Sequence, residues 1–354
     1  MKKNSLLTLS FLLILLGFQS CKKDNPPMHE SEFKDGIFVV NEGQFTHNNA
    51  SLSFIDKNLN DIKNNLYHDI NGQDLGDQAQ SMSFTDDKAY IVVTNSNKIV
   101  VVNKEDMKYQ STITNQLANP RYVDYTDGNR SFVSCWGDPS DSSDDYLAIV
   151  NTQNDVVTDT IHVSVGPEKL ISNEDYLFVA NKGGWGTNHI VTAINLATLN
   201  KDAEINVGDR PNSMVIKDGI LWVLSSGEPA WTGNETAGKL SKIDINTLSV
   251  LQEFTFDTTQ HPDHLSLDDD NLYFNIGNDV YQMDKDATSL PTTPFLTYDG
   301  IAIYNMETND GKLFISDAKD YQSEGDVVIY DLDNQQKIKT FTAGLIPGDF
   351  AFND

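Results

Sequence analysis

The side chains best suited to binding a ligand are aromatic and amide groups in long polar segments of the chain. Three of the four tryptophans, Trp136, Trp185 and Trp231, lie in such segments. An exposed aromatic side chain is costly unless it binds something, and loops carry function more often than core elements do. Each tryptophan could instead fold back onto its own element, but three in segments of one kind favour binding. The predicted ligand-binding residues are Phe45, Asn49, Trp136, Trp185, Asn188, Trp231, Asn234 and Tyr321.

Motifs for catalysis or for a tightly bound cofactor are weak in comparison. The sequence has neither a Gly-x-Ser-x-Gly nor a His-Glu-x-x-His motif. The glycines of residues 183–186 precede no helix N-terminus that could hold a phosphate. His261 and His264 lack compact spacing to other metal ligands, and residues 138–145 lack the ordered spacing of a calcium loop. We therefore expect no catalytic residue, no metal site and no cofactor, and we expect that the protein is not an enzyme.

The polar segments connect short apolar runs that repeat along the chain. Residues 211–244 show the unit, which has an apolar run, an Asp-Gly turn, a second run, a polar segment and a third run. Apolar runs of this length between Gly, Asn, Asp and Pro indicate short strands. An aromatic residue recurs in the second run, at Phe38, Tyr90, Phe132, Phe178, Trp222, Tyr273 and Phe314. This repeat predicts an all-β fold, a seven-bladed β-propeller with four antiparallel strands in each blade.

The two ends of the chain predict how the ring closes. The first run, at residues 37–41, matches the second strand of a blade, whereas the last, at residues 348–352, matches a first strand. The C-terminal strand should therefore complete the first blade and remove an exposed edge. First strands begin at Pro120, Pro167, Pro211, Pro262 and Pro347. The two copies without proline are assigned to residues 79–82 and 301–304.

This arrangement places the connections between strands on two faces of the ring. One face receives tight turns, such as residues 127–128 and 218–219. The other receives the connections between second and third strands, of which the longest are residues 41–50, 135–145, 181–189, 225–238 and 317–325. All the predicted ligand-binding residues lie in these longest connections. One face of the ring is therefore predicted to bind the ligand.

The first 20 residues have the pattern of a secretory signal. Lys2 and Lys3 precede an apolar segment, residues 6–18, that is too short to span a bilayer. The segment leads into Cys21 and resembles the signal of a bacterial lipoprotein, in which the cysteine is lipidated and anchors the protein to a membrane. An ordinary cleaved signal is the alternative. The expected organisation is a signal peptide at residues 1–20, a flexible tether at 21–35 and a single propeller at 36–354.

The charge of the chain restricts its partners. The formal net charge is -27 at pH 7, from 52 Asp and Glu against 25 Lys and Arg. Nucleic-acid binding needs clustered cations, so the composition argues against that class of partner. The acidity suits a neutral or cationic ligand better than an anionic one.

Several segments resemble those of YncE-type seven-bladed propellers. They include the first strands of the blades, called inner strands below, which begin with proline. The apolar strand at residues 177–181 and the run that ends at Asn195 belong with them. More specific features lie at residues 40–45, 51–54, 75–82, 289–295 and 343–350. Together with the lipoprotein signal, these segments resemble the surface lipoproteins of Bacteroidetes that include the BtuG-like cobalamin-binding propellers.

The resemblance implies a lipid-anchored protein of the outer membrane, exposed at the cell surface. It also implies capture of cobalamin or a related corrinoid, as a bound ligand, for delivery to a TonB-dependent outer-membrane transporter. A corrinoid is large, presents many amide groups and has apolar edges, which aromatic and Asn side chains can match. Two alternatives stay open: a surface scaffold that docks a protein on the same face, and a propeller lyase or hydrolase.

Overall fold

The computed structural model describes residues 33–126 and 128–353, so Cys21, the predicted signal and most of the predicted tether lie outside the described residues. The described residues form seven antiparallel sheets of four strands each. The predicted seven-bladed propeller is therefore confirmed. No helix within the described ranges is long and apolar enough to cross a membrane.

The first four blades follow the chain in order. Blade 1 contains β1 (Gly36–Asn41), β2 (Ser51–Ile55) and β3 (Ile62–Lys63). Blade 2 contains β4 (Ala79–Phe84), β5 (Lys88–Val93), β6 (Lys98–Asn103) and β7 (Tyr109–Ile113). Blade 3 contains β8 (Pro120–Thr126), β9 (Arg130–Cys135), β10 (Tyr146–Asn151) and β11 (Val156–His162). Blade 4 contains β12 (Pro167–Ser172), β13 (Tyr176–Asn181), β14 (Ile190–Asn195) and β15 (Lys201–Asn206).

The remaining blades repeat this order, and the last strand returns to blade 1. Blade 5 contains β16 (Pro211–Lys217), β17 (Ile220–Ser225), β18 (Lys239–Asp244) and β19 (Ser249–Thr255). Blade 6 contains β20 (Pro262–Asp268), β21 (Asn271–Ile276), β22 (Asp279–Asp284) and β23 (Leu296–Thr297). Blade 7 contains β24 (Asn305–Asn309), β25 (Lys312–Asp317), β26 (Glu324–Asp331) and β27 (Lys337–Leu345), and β28 (Pro347–Asn353) follows. The short helices of the described residues are α1 (Leu66–Asn71) and the 3-10 helices Thr94–Ser96 and Ala230–Thr232.

The recurrent aromatic residue of each second strand is buried in every blade. Trp222, the largest, is 1% exposed, and Phe38 is completely buried. Neighbouring blades cover both faces of the central strands of each blade. This is why β6, the third strand of blade 2, is apolar at four consecutive positions. The repeated aromatic residues are therefore part of the core. They set the spacing of the blades and do not bind the ligand.

The ring closes through β28, as the sequence predicts. This strand pairs antiparallel with β1, placing Phe350 opposite Val39. The rings of Phe350 and Phe352 also lie 6.1 Å and 5.4 Å from that of Phe314 in blade 7, measured between ring centroids. The last strand therefore joins the first blade to the last one.

Packing begins before residue 36, the expected start of the propeller. Phe33 is 4% exposed, and its ring centroid lies 5.1 Å from that of Phe54. Its carbonyl accepts a hydrogen bond of 2.7 Å from the side-chain amide of Asn353. Phe33, at the end of the predicted tether, therefore packs in the core of blade 1.

One inner strand was assigned wrongly from the sequence pattern. In blade 7, Met306 lies opposite Ile315, as Val123 lies opposite Val133 in blade 3. Met306, and not Tyr304, therefore occupies the position of Val123. A shift of two residues keeps the alternation of a strand in phase, and blade 7 has no proline here to mark the start. Tyr304 therefore occupies in blade 7 the position that Arg121 occupies in blade 3. At this position Tyr304 lines the central channel of the propeller.

Candidate functional site

A cavity opens at the mouth of the central channel, on the face that carries the long connections. Its volume is about 890 Å³. Every blade contributes to its wall through the inner strand or the residue before it: Gln80, Arg121, Lys169, Asn212, His264, Tyr304 and Gly348. Pockets for small molecules typically measure roughly 300–1,000 Å³, so this cavity has the size of a ligand site.

Three of the predicted ligand-binding residues, Phe45, Trp136 and Trp185, line this cavity. The two tryptophans meet edge to face, with ring centroids 5.9 Å apart and planes at 74°. Trp136 is fixed because its indole N–H donates to the carbonyl of Pro167 at 3.1 Å and Arg121 lies 4.5 Å from its ring centroid. Trp185 is 83% exposed. The mouth therefore has one anchored aromatic ring and one that projects into solvent.

The glycines around Trp185 explain how the loop reaches the mouth. Gly183 and Gly184 have φ angles of 103° and 59°, which side chains with a Cβ rarely adopt. A Cβ at Gly166 would overlap the backbone nitrogen of Gly184. The N–H of Lys182 donates to the carbonyl of Gly166 at 2.8 Å. The glycine-rich run therefore lets two backbones approach closely, and this approach carries Trp185 to the mouth.

Two of the predicted amide residues hold loops in place, Asn49 its own and Asn188 the connection that precedes blade 4. Asn49 accepts a hydrogen bond of 2.8 Å from the N–H of Gln44. Asn188 is 8% exposed and donates to Ser164 at 2.8 Å and to the carbonyl of Val165 at 3.0 Å. Asn188 also lines a smaller groove of about 440 Å³ beside the two tryptophans. The structure places Asn49 and Asn188 outside the wall of the main cavity.

Of the other predicted ligand-binding residues, one lies at the edge of the cavity and two lie away from it. Tyr321 is 52% exposed and meets Tyr304 edge to face at 5.7 Å between ring centroids. It therefore lies beside the cavity wall. Trp231, in the 3-10 helix of blade 5, is 79% exposed, and Asn234 is exposed in the same connection. Neither Trp231 nor Asn234 lines the cavity.

Charged residues of the inner strands form the part of the site that sequence reasoning missed. Arg121 pairs with Glu168 at 3.2 Å. Lys169 lies 2.9 Å from Asp349 in blade 1 and 3.7 Å from Glu307 in blade 7. Burial opposes the charged form of Lys169, but these carboxylates together raise its pKa above the usual value. Lys169 of blade 4 therefore reaches across the channel to blades 7 and 1, and it lines the cavity.

Glu42 is a carboxyl in the wall that forms no ion pair with the residues that the structure describes. Burial raises its pKa from 4.5 to about 7, although a hydrogen bond from Tyr304 and the charge of Arg121 oppose the rise. The negative charges of Asp349 and Glu168 add to it. The Tyr304 hydroxyl donates to Oε2 at 3.0 Å. Glu42 is therefore partly protonated near neutral pH.

A signal for these residues was present in the repeat itself. The two positions after the inner-strand proline hold Arg121, Glu168, Lys169 and Asp349. Charged side chains are rare inside strands whose faces are covered by neighbouring blades, unless they are paired or line a cavity. Their recurrence at these two repeat positions marks the channel. Glu42 lies outside both positions, and with 52 acidic residues in the chain no pattern distinguishes it.

The comparisons with known proteins establish a family and a fold. The domain of unknown function DUF5074 matches residues 35–342, so the chain belongs to that family. No curated protein matches the sequence.

Solved structures share the propeller at low identity. Hydrazine synthase of Kuenenia stuttgartiensis is 17% identical at a TM-score of 0.61, over 76% of this chain and 88% of that one. The dihydro-heme d1 dehydrogenase NirN in complex with DHE is 13% identical at 0.58, over 92% and 77%. BamB from Moraxella catarrhalis is 15% identical at 0.52, over 87% and 83%. Likeness at these identities shows the fold alone.

Proposed function

We propose that this member of the DUF5074 family is a binding protein, rather than an enzyme, and that it captures its ligand at the mouth of the channel. The observation that carries the proposal is the position of Trp185, which is 83% exposed and meets Trp136 over a cavity of about 890 Å³. A large aromatic ring held in water contributes little to the core, but it gains apolar contact when a ligand covers it. Rigid aromatic anchors in a pocket are typical of binding hot spots.

The ligand that we propose is cobalamin or a related corrinoid. The cavity combines the rings of Phe45, Trp136 and Trp185 with amide side chains, which are Gln78, Gln80, Asn95, Asn119, Asn212 and Asn305. Aromatic rings can cover the apolar edges of a corrinoid, and amide groups can pair with its amides. The resemblance to BtuG-like propellers supports the same ligand.

The cellular setting is part of the proposal. Lipidation of Cys21 would anchor the protein in the outer membrane at the cell surface, where it would pass the corrinoid to a TonB-dependent transporter. Fractionation of cells that express the wild type or Cys21→Ser tests the anchor. Loss of the protein from the membrane fraction is expected for the variant, and unchanged membrane association would contradict the anchor.

Calorimetric titration with cobalamin tests the ligand. We expect binding to the wild type, and we expect Trp185→Ala to weaken it by 1–4 kcal/mol, roughly the range for a buried aromatic anchor. Trp231→Ala is the matched control, because Trp231 is similarly exposed in the corresponding connection of blade 5 but lies outside the cavity. Equal losses in the two variants, or no heat at micromolar cobalamin, would contradict the proposal. Chemical change of the recovered ligand would favour the lyase or hydrolase alternative.

A protein-docking scaffold is the second candidate function, and Trp231 favours it. This side chain is 79% exposed and has no place in the cavity. A docking role predicts that the wild type ignores cobalamin and that Trp231→Ala loses co-purification with an outer-membrane partner. Retained co-purification by Trp231→Ala would contradict docking through this residue.

A further inference from the structure

The ring of side chains around the mouth has a gap in blade 1 that another segment fills. The position after the inner-strand proline, or its equivalent, holds a side chain in blades 2 to 7: Gln80, Arg121, Glu168, Asn212, Asp263 and Tyr304. Blade 1 has Gly348 at this position. A Cβ at Gly348 would lie 2.5 Å from Oε1 of Glu42. The glycine therefore leaves the space that the Glu42 carboxyl occupies, and Glu42 becomes the blade 1 member of the ring.

Glu42 differs from the paired charges of the inner strands because, among the described residues, one of its oxygens has no hydrogen-bond partner. Arg121 is paired with Glu168, and Lys169 with Asp349. Among the ion pairs of residues 33–126 and 128–353, none includes Glu42. Its Oε2 accepts the hydroxyl of Tyr304, whereas Oε1 accepts no hydrogen bond from these residues. A half-buried acceptor in a cavity wall is satisfied by water or by a donor on a ligand.

We infer that Glu42 is a specificity-determining residue of the cavity, and that the ligand presents a hydrogen-bond donor, a primary amide or an ammonium group, to its Oε1. The inference rests on the proposed function, since it concerns the same cavity. Trp136 and Trp185 lie on blades 3 and 4, whereas Glu42, Tyr304 and Asp263 lie on blades 1, 7 and 6. The apolar body of the ligand would therefore lie against one side of the mouth and its donor against the other.

A matched pair of small probes tests the inference without knowledge of the natural ligand. Phenethylammonium and 3-phenylpropionate share a phenyl ring and a short chain but carry a donor and an acceptor respectively. The probes are titrated into the ¹⁵N-labelled protein at pH 8, above the pKa of Glu42, and the indole N–H signals are followed. Trp136 and Trp185 report the mouth, whereas Trp222 in the core and Trp231 outside the cavity are internal references.

We expect the wild type to bind phenethylammonium at least about tenfold more tightly than 3-phenylpropionate, because only the ammonium can donate to Glu42. Glu42→Gln should weaken ammonium binding about tenfold. Gly348→Ala should do the same, because its Cβ displaces the carboxyl. Asp218→Asn, which removes a charge from a tight turn of the opposite face, is the control for net charge and should leave the preference unchanged.

The inference is overturned if Glu42→Gln keeps the wild-type affinity for the ammonium probe, or if neither probe shifts the signals of Trp136 and Trp185. An unchanged Trp222 signal verifies that each variant is folded. The outcome is separate from the test of the proposed function. A protein that prefers the ammonium probe through Glu42 but ignores cobalamin would support the recognition residue and contradict the corrinoid.

Discussion

Two partly buried carboxyl groups of this propeller have opposite surroundings. Asp155, in the turn between β10 and β11, accepts hydrogen bonds from Lys88 at 2.8 Å and Tyr90 at 2.6 Å through Oδ1. Its Oδ2 accepts a third from Ser111 at 2.8 Å. Glu42, at the mouth of the channel, accepts one side-chain hydrogen bond among the described residues, from Tyr304 at 3.0 Å.

The difference separates a structural carboxylate from one that is available to a ligand. A buried charge stabilises a fold only when its desolvation is offset by a partner and by hydrogen bonds to its remaining lone pairs. The contacts of Asp155 meet that condition, and they connect blades 2 and 3. Those of Glu42 do not, and burial accordingly raises its pKa to about 7. At the mouth of the channel, the carboxyl group of Glu42 is therefore an acceptor whose hydrogen-bonding capacity the described residues satisfy only in part.

The largest expected effect comes from removing the carboxylate of Asp155 and its hydrogen bonds to Lys88, Tyr90 and Ser111. Asp155→Ala would leave the Lys88 ammonium, 13% exposed in its side chain, without its counter-ion. Removing one partner of a buried ion pair costs about 3–5 kcal/mol, because the other charge stays buried. We expect a loss of about 3 kcal/mol in the free energy of unfolding, since the site is not completely dry, and no change in ligand affinity. Urea denaturation and calorimetry measure the two quantities.

The double variant Asp155→Ala with Lys88→Met is the control for that experiment. It removes both charges, so the free energy of unfolding should recover in part. A single variant as stable as the wild type would show that the network of Asp155 contributes nothing, and the contrast with Glu42 would then fail.

The fold follows from the sequence because its determinants are local and repeated. The buried aromatic residue and the inner-strand proline recur in successive blades, and each carries its own strand signal. The pattern failed at blade 7, where the proline is missing and a shift of two residues leaves the alternation unchanged. It also missed Phe33, which precedes β1 and packs against Phe54 of β2, a contact that no local pattern specifies.

The site was predictable in its aromatic part and not in its charged part. Trp136 and Trp185 stand out because a tryptophan in a polar segment is unusual. Glu42 and Gly348 are 306 residues apart in the sequence, and only closure of the ring brings them together. Such a contact depends on the register of β1 with β28, which no local pattern specifies.

Glu42→Gln is expected to stabilise the protein, in contrast to the loss at Asp155. The folded pKa of Glu42 is about 7 and its usual value is 4.5, so between these pH values the folded protein holds a proton that the unfolded chain has lost. The contribution of Glu42 to stability therefore falls as pH rises from 4.5 to 7. Glutamine has no such dependence. We expect the variant to exceed the wild type by about 1–3 kcal/mol at pH 8, and the difference to vanish near pH 4.

Urea denaturation of both proteins from pH 4 to pH 8 measures that difference. Other groups with raised pKa values, such as Asp124 and Glu307, are present in both proteins and cancel to first order. A difference that is constant with pH would show that Glu42 titrates normally. The stabilised variant should bind phenethylammonium more weakly, which connects the cost in stability to recognition.

The smallest expected effect comes from removing the side-chain hydrogen-bond donor that Glu42 has among the described residues. Tyr304→Phe keeps the ring beside Tyr321 but deletes the hydroxyl that donates to Oε2. We expect a loss of about 1 kcal/mol in the free energy of unfolding at pH 8, where Glu42 is ionised and the hydrogen bond is charge-assisted. At pH 5 the loss should be smaller, because Glu42 is protonated in the folded protein. Tyr321→Phe, at the adjacent exposed ring, is the matched control and should leave both values unchanged. Equal losses at the two pH values would mean that the hydroxyl of Tyr304 serves packing at the mouth rather than the charge of Glu42.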